Sequence, residues 1–360
     1  MKIAIDNGAL SGGHAVRGIG FYTRNLIAAL EKQKKVRLVE IGEECDIVHY
    51  PYFDLFFRTL PMKKLTRTVV TIHDVIPLIY PKKYPAGIRG RVNFWAQKFS
   101  LKTVSVVITD TEASKKDIVR FLGVSKDKIE VIHLAPANRG KVINDKIFLS
   151  RVREKYNLPH KFALYVGDVN YNKNITNLVR SCAKNNLTLV VVGKQAVNLD
   201  RGSNLGDIKG PMDGMRFLLG KDHPEESHYE ELMSVFEKYG VLRLGFVEEQ
   251  DLVVIYNLAT VYCQPSLYEG FGLPPLEAMM CGCPVVASRT QALVEVCDEA
   301  ALFFDPKDIN DMADKIKTAV DNLSIRKKLV KSGKEVASKY SWKKVAKDTI
   351  RVYEKAVGYE

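Results

Sequence analysis

Two glutamates eight residues apart, Glu269 and Glu277, flank a glycine-rich turn in the stretch PSLYEGFGLPPLEAMMCGCPVVAS (265–288). An ionised carboxylate only accepts hydrogen bonds, and it can take two hydroxyl hydrogens side by side. This is the chemistry of gripping a vicinal diol. Glu269 before the turn and Glu277 inside the following helix could therefore hold different rings of one long ligand. The alternative for Glu277 is that it merely charges the start of its helix. Gly270 and Gly272 let backbone approach a ligand with no Cβ in the way. A helix start offers free amides and partial positive charge to phosphate oxygens. Pro274 and Pro275 suit a first helical turn but remove donors, so another group must help hold an anion.

A second candidate is His73, which ends an apolar strand and precedes Asp74 in TIHDVIPLIYP (71–81). A lone histidine is commonly structural, so His73 needs its context to count. His49 and Asp6 are weaker candidates on neighbouring strand ends. Gly18 and Gly20, in GGHAVRGIGFYTRNLIAAL (12–30), either shape their loop or let it approach a reaction centre. Metal chemistry is not expected. The six cysteines are scattered, only Cys281 and Cys283 lie close, and no second pair completes a zinc-type spacing. No Asp-x-Asp ends a strand, and the seven histidines form no ligand cluster. The cysteines read as reduced core thiols.

The elements that must position these groups alternate between short β-branched runs and amphipathic helices. KIAID, VRLVEI, DIVHY, RTVVTIH, SVVIT and IEVIHL read as strands covered on both faces, as in a parallel sheet. Helices fall between them, as in GFYTRNLIAALEK (20–32) and TEASKKDIVRFLG (111–123), with Thr111 as N-cap and Gly123 as stop. The rhythm breaks over 134–160, where Pro136, Gly140 and Pro159 mark a domain crossing. It resumes with KFALYVG, LTLVVVG, GVLRLGFV, ATVYCQPS, CPVVAS and ALFFDP. The 360 residues suit two domains. The expected fold is α/β, with two Rossmann-like doubly wound domains facing each other across a cleft. Ligands of such sheets sit beyond the carboxyl ends of the strands, where the Glu269 turn lies. Residues 195–240 depart from the rhythm, with GSNLGDIKGPMDG read as a loop and PEESHYEELMSVFEKYG as a helix.

Charge is unevenly spread. Of the net +12, residues 1–140 hold +10, from 23 Lys and Arg against 13 Asp and Glu. A basic first half suggests an anionic partner there, either an anionic membrane surface or a phosphate-bearing acceptor, or it is simply a solvated lysine-rich face. Nucleic acid is not expected, because no nucleic-acid-binding module accompanies the charge. No apolar run approaches the roughly 18 residues of a membrane span. MKIAIDNG reads as a first strand and not a secretory signal. The expected location is cytoplasmic, with peripheral attachment to a membrane.

The stretch PSLYEGFGLPPLEAM resembles the donor-site signature of retaining GT-B glycosyltransferases of the Glu-x7-Glu type, in the manner of the mannosyltransferase-like members of glycosyltransferase family 4. LGFVEEQDLVVIYNLATVYCQPS (244–266), RTQALVEV (289–296), FFDP (303–306) and SWKKVAKDTIRVYEKAV (341–357) carry the resemblance further. TIHDVIPLIYP and GGHAVRGIGFYTRNLIAAL resemble the acceptor-domain motifs. The resemblance implies a GT-B architecture with an N-terminal acceptor-binding domain at 1–150, joined by the returning C-terminal helix 343–360, and a nucleotide-sugar donor-binding domain at 151–342.

It also implies roles. Glu277 would bind the nucleotide ribose, and Glu269 the donor sugar, within the backbone of Gly270, Phe271, Gly272 and Leu273. Lys173, in YVGDVNYNKNITNL (165–178), would meet the donor diphosphate, with Gly167 ending the strand before it. A cation there would steady the leaving group. His73 would contact the donor sugar or its phosphate. Many relatives have arginine after that strand glycine, where this chain has Asp168. Arg17, in the loop before Gly18, would supply part of the missing positive charge.

The implied reaction is metal-independent, retaining transfer of a hexose, mannose from GDP-mannose above all, to a glycan or lipid-linked saccharide. No second carboxylate suggests a double displacement. Competing readings are another GT-B enzyme, such as a sugar-nucleotide epimerase, or a non-catalytic nucleotide-sugar-binding subunit. The first loop lacks the Lys-x-Gly-Gly-Leu pattern of starch and glycogen synthases.

Overall fold

The computed structural model describes residues 1–360 apart from 12–17, 137–139, 200–223 and 359–360, with 224–226 described in backbone only. The expected loop GSNLGDIKGPMDG lies outside the described residues. The chain forms two compact units, Met1–Ala135 with Tyr340–Glu360, and Pro136–Lys339. Each is built on one six-stranded sheet whose described pairings are all parallel.

The first sheet contains β1 (Lys2–Ile5), β2 (Arg37–Val39), β3 (Ile47–Tyr50), β4 (Arg67–Thr71), β5 (Val106–Thr109) and β6 (Ile129–Val131), in the order β2-β1-β3-β4-β5-β6. Its central strands are mostly apolar and largely buried, because helices cover both faces. β5 is buried at every residue. Thr111 accepts a hydrogen bond from the Ser114 amide at 3.1 Å and starts the helical stretch after β5, and Gly123, at φ 70°, ends it. Helix Trp342–Val357 packs on helix Gly18–Leu30 and on β4. Trp342 lies edge-on to Phe21 at 5.9 Å, and the Tyr353 hydroxyl meets His49 Nδ1 at 2.7 Å.

Helix Gly87–Ser100 has its two faces exchanged. Its buried residues are Gly90, Asn93, Gln97 and Ser100. The side chains of Asn93, Gln97 and Ser100 hold the segment 54–64. Asn93 Nδ2 donates to the Phe56 carbonyl at 2.9 Å, Gln97 Nε2 to Thr59 Oγ1 at 2.9 Å, and Ser100 Oγ to the Pro61 carbonyl at 2.6 Å. The apolar side faces outward.

The second sheet contains β7 (Phe162–Val166), β8 (Thr188–Val192), β9 (Leu242–Gly245), β10 (Val261–Gln264), β11 (Val285–Ser288) and β12 (Ala301–Phe304), in the order β12-β11-β10-β7-β8-β9. Its core gathers Tyr165, Leu178, Val191, Phe236, Val261 and Ile316. Residues 136–150, assigned to the first half from the sequence, belong to this second unit. The Ile143 amide donates to Asn257 Oδ1 at 2.8 Å, and Asn257 Nδ2 donates back to the Lys141 carbonyl at 2.9 Å. Helix Lys146–Lys155, absent from the sequence reading, packs on helix Glu249–Leu258.

In this sheet the strand order reverses between β7 and β10. A crevice opens beyond the carboxyl ends of two such strands, because their connections leave in opposite directions. The segments that follow β7 and β10 are therefore the ones to examine for a ligand site.

Candidate functional site

Lys173 ends a short helical turn after β7, and Glu269 follows β10. Two asparagines bring them together. The Asn172 carbonyl accepts from the Leu267 amide at 2.7 Å, and its Nδ2 donates to the Tyr268 carbonyl at 3.3 Å. Asn174 Nδ2 donates to the carbonyls of Pro265 and Pro306 at 3.0 and 2.8 Å. Buried amides so placed satisfy carbonyls that would otherwise be stranded inside the protein. They also lock the loop after β7 onto the loop after β10.

The result is a clamped carboxylate. Lys173 Nζ lies 2.8 Å from both oxygens of Glu269. Oε1 also accepts from Gln264 Nε2 at 2.7 Å and from Ser266 Oγ at 2.6 Å. Glu269 is only 8% exposed, so the charge is held where water cannot screen it well. The Gln264 carbonyl is held in turn by the Tyr262 hydroxyl, and that fixes which way the amide faces. Burial, with the Tyr165 and Glu269 side chains beside it, keeps the Tyr262 phenol far above its ordinary range, so it stays a donor.

Glu277 stands on helix Leu273–Met280 and accepts from the Tyr256 hydroxyl at 2.9 Å. The Tyr256 and Tyr262 rings lie 5.8 Å apart. A single seam thus runs from half-buried Lys173 through the buried Glu269, Gln264, Tyr262 and Tyr256 to half-buried Glu277. Burial raises the Glu277 carboxyl above its ordinary value, against the Tyr256 hydrogen bond, which lowers it.

The turn between the glutamates is tightly built. Gly272 has φ 121°, and a Cβ there would sit 2.7 Å from Leu293 Cδ2, so only glycine fits. Phe271 is buried, while Gly270 and Leu273 are partly exposed. Gly167 comes so close to the next loop that a Cβ on Gly193 would meet its carbonyl oxygen at 2.2 Å. Asp168 is exposed, with its carbonyl taken by the Tyr165 hydroxyl at 2.6 Å.

The first unit presents a separate constellation. His73, after β4, meets Asp110, after β5, through Nδ1 and Oδ2 at 2.8 Å. The Asp110 side chain is buried and that of His73 is 17% exposed, and among the described residues His73 Nε2 and Asp110 Oδ1 find no hydrogen-bond partner. Burial alone would lower the His73 pKa. The Asp110 charge and hydrogen bond outweigh it, with Asp74 and the nearby Pro51 carbonyl adding to them, and raise it. The Tyr22 ring meets the imidazole edge-on at 4.7 Å. Behind it, Thr71 Oγ1 joins the Tyr22 hydroxyl at 3.1 Å to His49 Nε2 at 2.9 Å. His49 is completely buried, and burial with the neighbouring His73 charge pulls it down to about 3, which marks it as structural. Gly18 begins its helix on the exposed surface. Arg17 lies outside the described residues. Among the described residues no group of three or more His, Cys, Asp and Glu could hold a metal ion.

A lysine and a buried carboxylate joined at a switch point of a doubly wound sheet, with a second carboxylate one seam away, have the chemistry to hold a charged, hydroxyl-rich ligand. Residues 149–336 match the family described as "Glycosyl transferases group 1". The chain belongs to that family. Residues 11–135 of this glycosyltransferase match "Glycosyltransferase Family 4". It is 29% identical to the O-antigen chain mannosyltransferase B of Escherichia coli over 311 residues, covering 85% of this chain and 74% of that one. It is 26% identical over 286 residues to the serotype-specific mannosyltransferase WbdA of Escherichia coli, covering 78% of this chain but only 32% of that longer protein. Among solved structures it resembles sucrose-phosphate synthase from Thermosynechococcus elongatus over all of both chains, with a TM-score of 0.71 at 18% identity. That likeness shows the GT-B fold expected from the sequence.

Sequence reading missed seven side chains of these sites: Asn172, Asn174, Tyr256, Tyr262, Gln264, Ser266 and Asp110. Gln264 ends a buried strand and Asn172 and Asn174 are buried in the turn after β7, where polarity itself was the available signal. Asp110 was the last residue of an apolar run, a position equivalent to that of His73.

Proposed function

We propose that this glycosyltransferase moves mannose from GDP-mannose to a glycan or a lipid-linked saccharide, with retention of configuration and without a metal. The observation that carries the reading is the Lys173–Glu269 pair at the β7/β10 switch point. Lys173 gives its charge to the donor diphosphate and steadies the departing nucleotide. Glu269 Oε1 stays held by Gln264 and Ser266, so Oε2, released from Lys173, is free for the hydroxyls of the sugar. Glu277 takes the ribose diol. The backbone of Gly270, Phe271, Gly272 and Leu273, with Gly167, lines the approach. In the first unit, which is proposed to serve the acceptor, Asp110 favours the protonated form of His73, which can donate from Nε2 to a sugar or phosphate oxygen. Arg17 and Gly18 are proposed to contribute to the donor phosphates. Mannose is favoured because both relatives described above are named mannosyltransferases.

A thermal-shift panel of GDP-mannose, UDP-glucose and ADP-glucose tests this on the purified chain. A ligand at 100 times its dissociation constant stabilises by about 2.7 kcal/mol. GDP-mannose is expected to raise the melting temperature and to be hydrolysed or transferred, with GDP released. A shift by UDP-glucose in its place overturns the assignment of the donor, and no shift with any of the three overturns the site.

A further inference from the structure

The strongest unexplained feature is the exchanged helix Gly87–Ser100. Ile88, Val92, Trp95 and Phe99 follow each other at spacings of four, three and four residues, which places them on one helical face. Each is 58–68% exposed. A helix packed on a folded unit ordinarily buries such a stripe. Here the inward side is Gly90, Asn93, Gln97 and Ser100, fixed by the hydrogen bonds described above. The apolar side is thus held outward by a polar anchorage, and Phe57, Met62 and Leu65 add exposed apolar surface on the segment that those same bonds secure.

The surrounding charge says what covers it. Between Asp54 and Asp110 the chain has ten lysines and arginines and one acidic residue, Asp74, a net of +9 out of the whole chain's +12. Lys98 Nζ stands 5.7 Å from the Trp95 ring centre, and Lys102 Nζ 5.3 Å from that of Phe99. A recess of about 440 Å³ beside the stripe is lined by Phe57, Arg58, Arg89, Val92 and Asn93, which pairs two guanidinium groups with apolar walls. Aromatic rings flanked by lysines, with two arginines lining the recess beside Val92, match the boundary between headgroups and acyl chains. A predominantly basic stretch matches a plane of negative headgroups.

We propose that the outward face of helix Gly87–Ser100 docks on an anionic phospholipid bilayer, with Val92, Trp95 and Phe99 inserted among the acyl chains and Arg58 and Arg89 on the headgroup phosphates. The attachment is interfacial, for among the described residues no helix is long and apolar enough to cross a membrane. It does not depend on which sugar the site in the second unit accepts.

The chain has two tryptophans, and Trp342 is buried. A Trp342→Phe variant therefore makes Trp95 the sole indole reporter. With vesicles of phosphatidylcholine and phosphatidylglycerol, Trp95 emission is expected to shift to shorter wavelength and to be quenched by brominated acyl chains. Pure phosphatidylcholine vesicles should give little of either. In the otherwise native chain, Trp95→Ser combined with Phe99→Ser should weaken co-sedimentation with the mixed vesicles at least roughly tenfold, and Arg89→Gln roughly fivefold. Unchanged melting temperatures show that the variants fold. Equal recovery with neutral vesicles, an unmoved Trp95 emission, or full binding by the double serine variant overturns the proposal. A concentration-dependent dimer of the native chain that the double variant abolishes, without vesicle binding, overturns it in favour of a protein partner.

Discussion

Replacing Lys173 with methionine removes the cation from a carboxylate that the fold keeps buried. Glu269 is 8% exposed and retains the Gln264 and Ser266 bonds on Oε1, but Oε2 loses Lys173, its partner among the described residues. Breaking one side of a buried ion pair costs about 3–5 kcal/mol, chiefly because the surviving charge stays desolvated. Two neutral donors remain, and the Lys173 ammonium is itself 21% exposed, so the lower end applies, about 3 kcal/mol. Glu269→Gln should cost less, about 1–2 kcal/mol, since the lysine left behind can reach water. The double variant K173M/E269Q buries no net charge and should be more stable than K173M alone. In a urea-denaturation cycle of the four proteins, followed by far-UV circular dichroism, the coupling should be about 1–3 kcal/mol. Donor binding should vanish in K173M even at concentrations that saturate the native chain. Strictly additive costs, with a coupling near zero, would show that the pair is a surface accident and that the carboxylate is not pre-charged for a ligand.

Two titratable groups give further tests. The half-buried Glu277 carboxyl has its folded pKa raised by desolvation, so its stabilising contribution is present at acid pH and is lost as pH rises through that value. Glu277→Gln should therefore be at least as stable as the native chain at pH 7 in urea unfolding, yet bind GDP about 1.5–3 kcal/mol more weakly by calorimetry. His49 behaves oppositely. Its pKa falls from 6.5 to about 3 on folding, so its contribution is present above 6.5 and drains away as pH drops towards 3, by up to about 5 kcal/mol. Unfolding midpoints of native and His49→Gln proteins, followed from pH 7 to pH 4, should converge as the pH falls.

The twelve described strands were legible because most are short apolar, β-branched runs buried between helices, a pattern that alternates with amphipathic stretches along the chain. Helix Lys146–Lys155 was not, since SRVREK buries little and lies where prolines and a glycine suggested a crossing. The glutamates and Lys173 were legible from their turn and its resemblance. Their supports were not. Gln264 and Ser266 look like interruptions of a strand, and only the fold shows that they converge on one carboxylate oxygen. Helix Gly87–Ser100 marks another boundary. Periodicity tells which residues of a helix share a face, but not which face turns inward, and here the side ordinarily buried is the one that meets solvent.

The first unit is assembled from two pieces of chain separated by the whole of the second. On the ribosome, residues 136–339 can therefore complete their sheet while the earlier sheet still waits for the segment that carries Trp342 and Tyr353. Until that segment emerges, Phe21, Tyr22 and His49 lack their aromatic cover, and the nascent N-terminal portion is the natural client of a chaperone. A stop codon just before residue 342 should leave the second unit foldable and the first prone to aggregate.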